Sequence, residues 1–272
     1  MNILRDSLVI ARRNTIRIRR VPDVMVFVLL QPILFVVLFA YVFGGSIDIP
    51  GSSYREFLMA GIFTQTVVFG ATFTGAGLAE DLQKGLINRF RSLPMSPYAV
   101  VAGRTASDVI YNVLSIAMMS IAGLAVGWRI RSSVLDALIG YALLLFFSYA
   151  FSWVMACIGL AVRTPEVVNN ASFMVLFPLT FIANTFVPSD NLPTVFRAIA
   201  EWNPVSSLTH AARVQFGNIP ASAPEPTAWP IQNSTLYTLI WAIGLIVVFA
   251  PIASRSYQRA GARYIALLDA QA

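Results

Sequence analysis

Long runs without a charged residue alternate with short polar segments along this chain, and six runs have the length of a membrane-spanning helix. A hydrocarbon core about 30 Å thick is crossed by roughly 20 helical residues. Backbone polar groups inside a bilayer must bond to one another, so runs of this length must be helices. The predicted spans are Val24–Phe43, Phe57–Ala79, Val109–Trp128, Ala137–Val162, Val167–Val187 and about Leu236–Ser254.

Composition supports a membrane protein. Of 272 residues, 57% are hydrophobic and only 12% are charged, which is about half the usual charged share. Such a surface would not stay dispersed in water, so the lipid bilayer is the expected surrounding. The net charge of +6 comes from residues outside the predicted spans, and we expect no nucleic-acid partner.

The positions of the basic residues predict the orientation. With the N-terminus in the cytoplasm, six crossings return the C-terminus to the same side. Fourteen Lys and Arg then fall in inside segments and five in outside segments. Since positive loops stay in the cytoplasm, we expect cytoplasmic termini in a bacterial plasma (inner) membrane.

Two segments that precede or follow the spans complete the predicted organisation. Within residues 3–20, Leu4, Leu8, Ala11 and Ile18 share one helical stripe opposite the arginines, which indicates an amphipathic helix in the membrane interface. An ordinary positively charged tail is the alternative. We therefore divide the chain into an interfacial segment 1–23, a six-span domain 24–254 and a cytoplasmic tail 255–272.

The inside loop between the second and third spans carries dense mixed charge. Leu82, Leu86, Phe90 and Leu93 recur at helical spacing, and Pro94 ends the pattern. A short helix over about 81–95 with an apolar edge would suit docking onto a cytoplasmic protein. A solvated connector is the alternative.

The outside segment of about 192–217 predicts two short, half-buried helices. Asn203 followed by Pro204 is a helix-start signal, and Gly217 stands at the matching end. We expect these helices to dip in from the outer face.

Several chemistries are absent from the sequence. Its only lysine, Lys84, is followed by Gly85, which excludes a phosphate-binding loop for ATP. Cys157 and His210 are each alone, so we expect no disulfide, no metal site and no catalytic residue. The predicted spans hold no Asp, Glu, Lys, Arg or His, which disfavours a secondary transporter coupled to protons or sodium.

The fifth predicted span carries an aromatic and polar stripe. Phe173, Phe177, Thr180 and Asn184 follow at helical spacing around Pro178. We predict that this wall faces the axis of a dimer and contacts a hydrophobic or amphiphilic substrate. The alternative is a role in packing between helices.

Two stretches resemble a known family. The run Asp81-Leu82-Gln83-Lys84-Gly85-Leu86-Ile87, continued by residues 89–95, resembles the loop of ABC-2 type transporter permeases of the daunorubicin-resistance exporter group. The stretch Trp202-Asn203-Pro204 with Arg213 is similar to the segment before the last span of that family. One departure is Gln83-Lys84, where many relatives have a loop rich in Glu and Arg.

The resemblance implies the membrane half of an ABC exporter. It implies pairing with a second permease copy or a paralogue, and a separate cytoplasmic ATPase subunit that binds ATP and magnesium, with no cofactor on this chain. Residues 81–95 would be the coupling helix. Its contacts with the ATPase would come from Asp81, Lys84, Leu86, Arg89, Phe90 and Arg91.

The expected protein is thus an all-α membrane protein with six transmembrane helices. Its expected function is the outward movement of drugs or lipids with ATP hydrolysed by the partner, as in drug efflux, antibiotic resistance or lipid export. The alternatives are a non-transporting membrane anchor or regulator of an ATPase, and a secondary transporter.

Overall fold

The computed structural model describes residues 10–11, 30, 33–44, 51, 53–86, 96–162, 164–189, 192–220 and 222–269, with backbone only for 43, 97 and 260–269. All regular structure in this part of the chain is helical. The helices are α1 (Ile33–Val42, continuing as a π-helix over Phe39–Phe43), α2 (Tyr54–Gly70), α3 (Thr72–Gln83), α4 (Pro97–Ala125), α5 (Val134–Ala161), α6 (Pro165–Ile182), α7 (Thr194–Trp202), α8 (Pro204–Gln215), α9 (Trp229–Gln232) and α10 (Ser234–Asp269).

Five helical stretches in the described residues are long and apolar enough to cross a membrane. They are α2 with α3, then α4, α5, α6 and α10. Helix α1 is the described part of the first predicted span. The predicted interfacial helix is described only at residues 10–11, which are helical, and the rest lies outside the described residues.

Local chemistry explains where the helices begin. The Ser53 and Ser133 hydroxyls accept hydrogen bonds from the N–H groups of Glu56 and Asp136 and cap α2 and α5. Proline stands in the first turn of α4, α6 and α8, where the missing N–H costs nothing.

Helix α5 forms the centre of the bundle and packs against α2, α3, α4, α8 and α10. Gly75 of α3 and Gly159 of α5 bring two backbones so close that a β-carbon on Gly159 would overlap the Gly75 carbonyl. Membrane helices are not driven together by the hydrophobic effect, so they associate largely through van der Waals contact. Small residues strengthen this contact because they let two backbones approach closely.

The bundle has two ends. One is here called the α8 end. Helices α2, α5 and α10 begin there and helices α4 and α6 end there. The short helices α7 to α9 are also found at this end. Here the Tyr54 hydroxyl donates to the Phe186 carbonyl at 3.0 Å, and Trp128 Nε1 donates to Asn218 Oδ1 at 2.8 Å. At the other, the α3 end, α3 finishes and α4 begins. The basic-residue pattern predicts that the α3 end is cytoplasmic.

The predicted start of the third span is wrong. Helix α4 begins at Pro97, well before Val109, so Arg104 and Asp108 lie inside a membrane-length helix. Each has a hydrogen-bond partner on α3, since the Asp108 carboxylate accepts from the Thr74 hydroxyl and Arg104 donates to the Phe73 carbonyl. The second predicted span lies within the membrane-length stretch Tyr54–Gln83, in which a turn at Ala71 separates α2 from α3.

Candidate functional site

A cavity of about 360 Å³ lies beside the break between α2 and α3. Six aromatic side chains contribute to its lining, together with four uncharged polar ones and Gly70. The aromatic residues are Phe35, Phe69, Phe73, Tyr111, Phe173 and Phe177, and the polar residues are Gln65, Thr66, Thr72 and Ser115. We call it the central cavity.

The central cavity lies near the middle of the bundle. Its α2 and α3 residues, from Gln65 to Phe73, lie about 16 to 28 Å along a helix pair about 45 Å long. Its α4 residues, Tyr111 and Ser115, are also central in their helix. A molecule held here would be far from both membrane surfaces.

The predicted substrate wall on α6 is divided between two places. Phe173 and Phe177 line the central cavity, whereas Asn184 lines a different cavity at the α8 end. Thr180 is buried and donates to the Leu176 carbonyl at 2.8 Å. The four residues therefore do not form one wall, and contact with substrate stays a prediction for Phe173 and Phe177.

An aromatic ladder leads from the central cavity toward the α8 end. Ring centroids are 5.1 Å apart from Phe173 to Phe177, 4.1 Å from Phe177 to Phe181, and 4.8 Å from Phe181 to Phe186. Phe39 of α1 stacks on Phe186 at 4.7 Å. Rings at such distances attract each other beyond simple burial.

A buried polar cluster joins the break at Ala71 to α4 and α5. Asp108 accepts a hydrogen bond from the Thr74 hydroxyl, and Arg104 donates to the Phe73 carbonyl at 3.2 Å. Asn112 donates to the Ser148 hydroxyl at 2.8 Å. The first two bonds join α3 to α4 next to the cavity wall, and the third joins α4 to α5.

The sequence does not predict that Asp108 lies inside the bundle, because the charge-free run of the third predicted span starts at Val109, one residue later. A signal was present, since Asp108, Asn112 and Ser115 recur at spacings of four and three and so share one helix face. A carboxylate on a polar stripe of an otherwise apolar helix indicates a partner inside the bundle.

The predicted coupling residues are described only in part. Asp81 is buried at the end of α3, whereas Lys84 is exposed and pairs with Glu80 at 2.6 Å. Leu86 follows Gly85, whose positive φ of 66° turns the chain away from α3. Arg89, Phe90 and Arg91 lie outside the described residues.

The second cavity, here called the α8 cavity, has about 520 Å³ between α7, α8 and the proline-rich segment 218–228. Arg213 lies on its wall and is 3% exposed. The Arg213 guanidinium donates to the carbonyls of Phe57 at 3.0 Å and Asn184 at 2.6 Å, and lies 3.5 Å from the centre of the Phe57 ring.

Burial shifts the ionisation of two groups on this wall. It lowers the pKa of Arg213 to about 9, so the guanidinium stays charged at neutral pH. Burial, with a smaller effect of the Arg213 charge, lowers the pKa of His210 to about 4, so that imidazole is neutral at pH 7. The sequence had indicated Arg213 as an outside basic residue and as part of the family resemblance, without its burial.

No group of three or more His, Cys, Asp or Glu side chains that could hold a metal ion occurs in the described residues. The central cavity, the α8 cavity, the buried polar cluster and the α3 end are the candidate functional features of the described residues.

Comparison with known proteins assigns the family. The model of the ABC-2 type transporter family matches residues 6–216. The chain is 30% identical, over 92% of its length and 85% of the relative, to the daunorubicin resistance ABC transporter permease protein DrrB1 of Streptomyces coeruleorubidus. It is 23% identical, over 73% of its length and 79% of the relative, to the inner membrane transport permease YadH of Escherichia coli K12. It is 22% identical, over 79% of its length and 75% of the relative, to the putative transport permease ycf38 of Porphyra purpurea.

The chain belongs to the ABC-2 type transporter family. The resemblance seen in the loop after α3 is thereby confirmed. The protein is a multi-pass membrane permease of the ABC transporter class, whose permease subunits carry no ATPase domain of their own.

Proposed function

We propose that this permease moves hydrophobic or amphiphilic molecules, drugs or lipids, outward across the bacterial inner membrane, using ATP hydrolysed by a separate cytoplasmic ATPase subunit. The observation that supports the proposal is the central cavity, whose lining is largely aromatic and which lies near the middle of the bundle. The name of the Streptomyces relative, a daunorubicin resistance permease, supports a drug as substrate.

The chemistry of the central cavity suits such a substrate. Its aromatic side chains offer large flat apolar surfaces, and its volume of about 360 Å³ is within the range of small-molecule sites. Four neutral polar side chains can orient a hydroxyl or carbonyl group of the ligand. Since no charged side chain among the described residues lines it, the cavity does not require a fixed charge pattern.

Helix α3 supports a route for ATP-driven movement. It carries Thr72 and Phe73 of the cavity wall at one end and reaches Gln83 at the other, about 18 Å away. The bonds to Asp108 and Arg104 tie it to α4. A displacement of the loop that begins at Lys84 would therefore move the cavity wall along with α3.

We also propose that two copies, or this chain and a paralogue, form the transporter. The central cavity is bounded on one side by Phe35 of α1 and by Phe173 and Phe177 of α6. Helix α6 also presents Met174 and Val175, which are 80% and 64% exposed. A second copy against this side would cover those residues and enclose the cavity.

Transport in vesicles tests the function. Inside-out vesicles containing the permease and its ATPase should accumulate a fluorescent amphiphilic compound only when ATP is supplied. A partner lacking the ATP-binding lysine is the control and should give no accumulation. ATP hydrolysis without movement of the compound would favour the anchor or regulator. Accumulation that follows a proton gradient without the ATPase would favour the secondary transporter.

A further inference from the structure

Arg213 holds a buried positive charge that no carboxylate among the described residues neutralises. Its polar partners are the backbone carbonyls of Phe57, Asn184 and Thr185, and its flat face rests on the Phe57 ring. Carbonyl dipoles and a ring offset only part of the cost of removing a guanidinium from water. The remaining positive potential faces the α8 cavity, on whose wall Arg213 lies.

The same wall carries a side-chain amide without a hydrogen-bond partner. The Asn184 side chain is 6% exposed, lines the α8 cavity, and its buried Oδ1 has no hydrogen-bond partner. Asn184 is held in place through its backbone, which accepts from Arg213 and donates to the Ser206 hydroxyl at 3.2 Å. The NH2 group of the same side chain makes no hydrogen bond within the described residues, so it is a donor available to a ligand.

His210 supplies a third candidate donor, one helical turn from Arg213. Its Nδ1 lies 3.3 Å from the Ser234 hydroxyl. When Nδ1 accepts from that hydroxyl, the neutral ring carries its proton on Nε2. The imidazole then offers an N–H without adding a second positive charge.

The acidic groups on the cavity wall leave the charge of Arg213 uncompensated. Glu201 is paired with Arg197 at 2.9 Å. Glu225 is exposed on the proline-rich side, where water screens its charge. The cavity thus presents one desolvated guanidinium, one orphan amide and one neutral imidazole.

We propose that the α8 cavity binds a phosphate group, carried by a phospholipid headgroup or as free phosphate, against Arg213, Asn184 and His210. A phosphate accepts several hydrogen bonds and neutralises the guanidinium. The volume of about 520 Å³ exceeds that of the phosphate and leaves room for the glycerol part of a headgroup. This site is separate from the central cavity, and its test requires neither ATP nor transport.

Thermal unfolding of the full-length permease in detergent, without the ATPase, tests the proposal. One titration uses sodium phosphate against sodium chloride at equal ionic strength. The other uses dihexanoyl phosphatidylglycerol against dihexanoylglycerol, which lacks the phosphate. At a hundredfold excess over the dissociation constant, a bound phosphate group should raise the midpoint by about 5 °C. A rise with both probes indicates an anion site, and a rise with the lipid alone indicates a headgroup site.

Substitutions at three positions test where the phosphate group binds. Asn184→Asp places a carboxylate beside Arg213 and should raise the dissociation constant about tenfold or more. Gln215→Glu makes the same amide-to-acid change on another face of α8 and should change it less than about twofold. His210→Phe keeps the ring and should weaken binding about threefold or more. The proposal is overturned if neither probe raises the midpoint above its control, or if Asn184→Asp binds as tightly as the original chain.

Discussion

Phe177 and Met174 lie one turn apart on α6 and have different surroundings. Phe177 lines the central cavity and is 37% exposed, whereas Met174 is 80% exposed and makes no part of the cavity wall. We predict that Phe177→Ala changes the order in which amphiphilic compounds are exported, because it removes one ring from the cavity.

Export of a panel of compounds in vesicles measures this effect. Met174→Ala is the matched control and should leave the order unchanged. An equal loss for every compound with Phe177→Ala would indicate a packing role instead.

His210 gives the protein a defined response to acid. Its pKa is lowered to about 4 in the folded chain, against about 6.5 in an unfolded one. The unfolded state therefore binds the proton first, so stability is full above about pH 6.5 and falls as the pH drops toward 4. The loss attributable to this residue is on the order of 3 kcal/mol.

Unfolding midpoints of the original chain and His210→Gln, measured from pH 7.5 to pH 4.5, check this prediction. The original chain should lose more stability than the variant across this window. Parallel curves would show that His210 is protonated as readily in the folded chain as in the unfolded one.

At the scale of the helices, the contact between α3 and α5 depends on glycine. A β-carbon at Gly159 would overlap the backbone of Gly75, and neither backbone can move without shifting its helix. We predict that Gly159→Ala lowers the free energy of unfolding by about 1–3 kcal/mol.

Gly244 of α10 is the matched control. Nothing lies within 4 Å of a β-carbon added there, so Gly244→Ala should be neutral or slightly stabilising through its better helix propensity. Folded yield and unfolding midpoint in detergent compare the two variants. Equal effects would mean that α3 and α5 can separate without cost.

The helices differ in how far hydropathy could predict them. Helix α5, Val134–Ala161, lies close to the predicted Ala137–Val162 because it carries no charged residue after Asp136 in its first turn. Helix α4 was predicted too short because a hydropathy reading penalises Arg104 and Asp108 wherever they stand. Their partners, Phe73 and Thr74, belong to a helix about 30 residues earlier in the chain. This pairing depends on how the two helices pack, so a local sequence pattern does not predict it.

The candidate sites show the same limit. The helical spacing of Phe173 and Phe177 predicted correctly that they share a face, because that depends on one helix alone. Asn184 was assigned to the same face, but α6 ends at Ile182 and the following turn directs Asn184 to the α8 cavity. The buried position of Arg213 depends on α2 and on the turn after α6, which no local pattern contains.

The orientation of the whole molecule is a prediction that labelling can test. We expect a cysteine at Ser222 to react with an impermeant thiol reagent in intact cells, in a chain where Cys157→Ser removes the native thiol. Cysteines at Lys84 and Gln258 should react only after lysis. All three positions are exposed, so the reversed pattern would contradict cytoplasmic termini.

Assembly with the ATPase is tested at the loop after α3. Burial of an aromatic anchor contributes more to a small interface than a charge at its rim. We predict that Phe90→Ala reduces co-purification of the ATPase about tenfold and lowers ATP-dependent export.

Lys84→Ala provides the comparison. Lys84 is exposed and forms an ion pair with Glu80, one turn earlier. Removal of the Lys84 side chain should therefore reduce co-purification about twofold or less. Wild-type binding and export by Phe90→Ala would identify residues 81–95 as a simple connector.

The aromatic ladder of Phe173, Phe177, Phe181 and Phe186 has a consequence for the speed of transport. In the proposed exporter, a flat molecule that advances from Phe173 past Phe177 to Phe181 would exchange one ring contact for another of similar strength, while the buried Phe186 supports the last of these rings. Its free-energy profile would then lack a deep minimum, so no single ring retains it. Such a path favours rapid passage and discriminates by the width and flatness of the cargo, which would let one permease export chemically unrelated planar molecules at comparable rates.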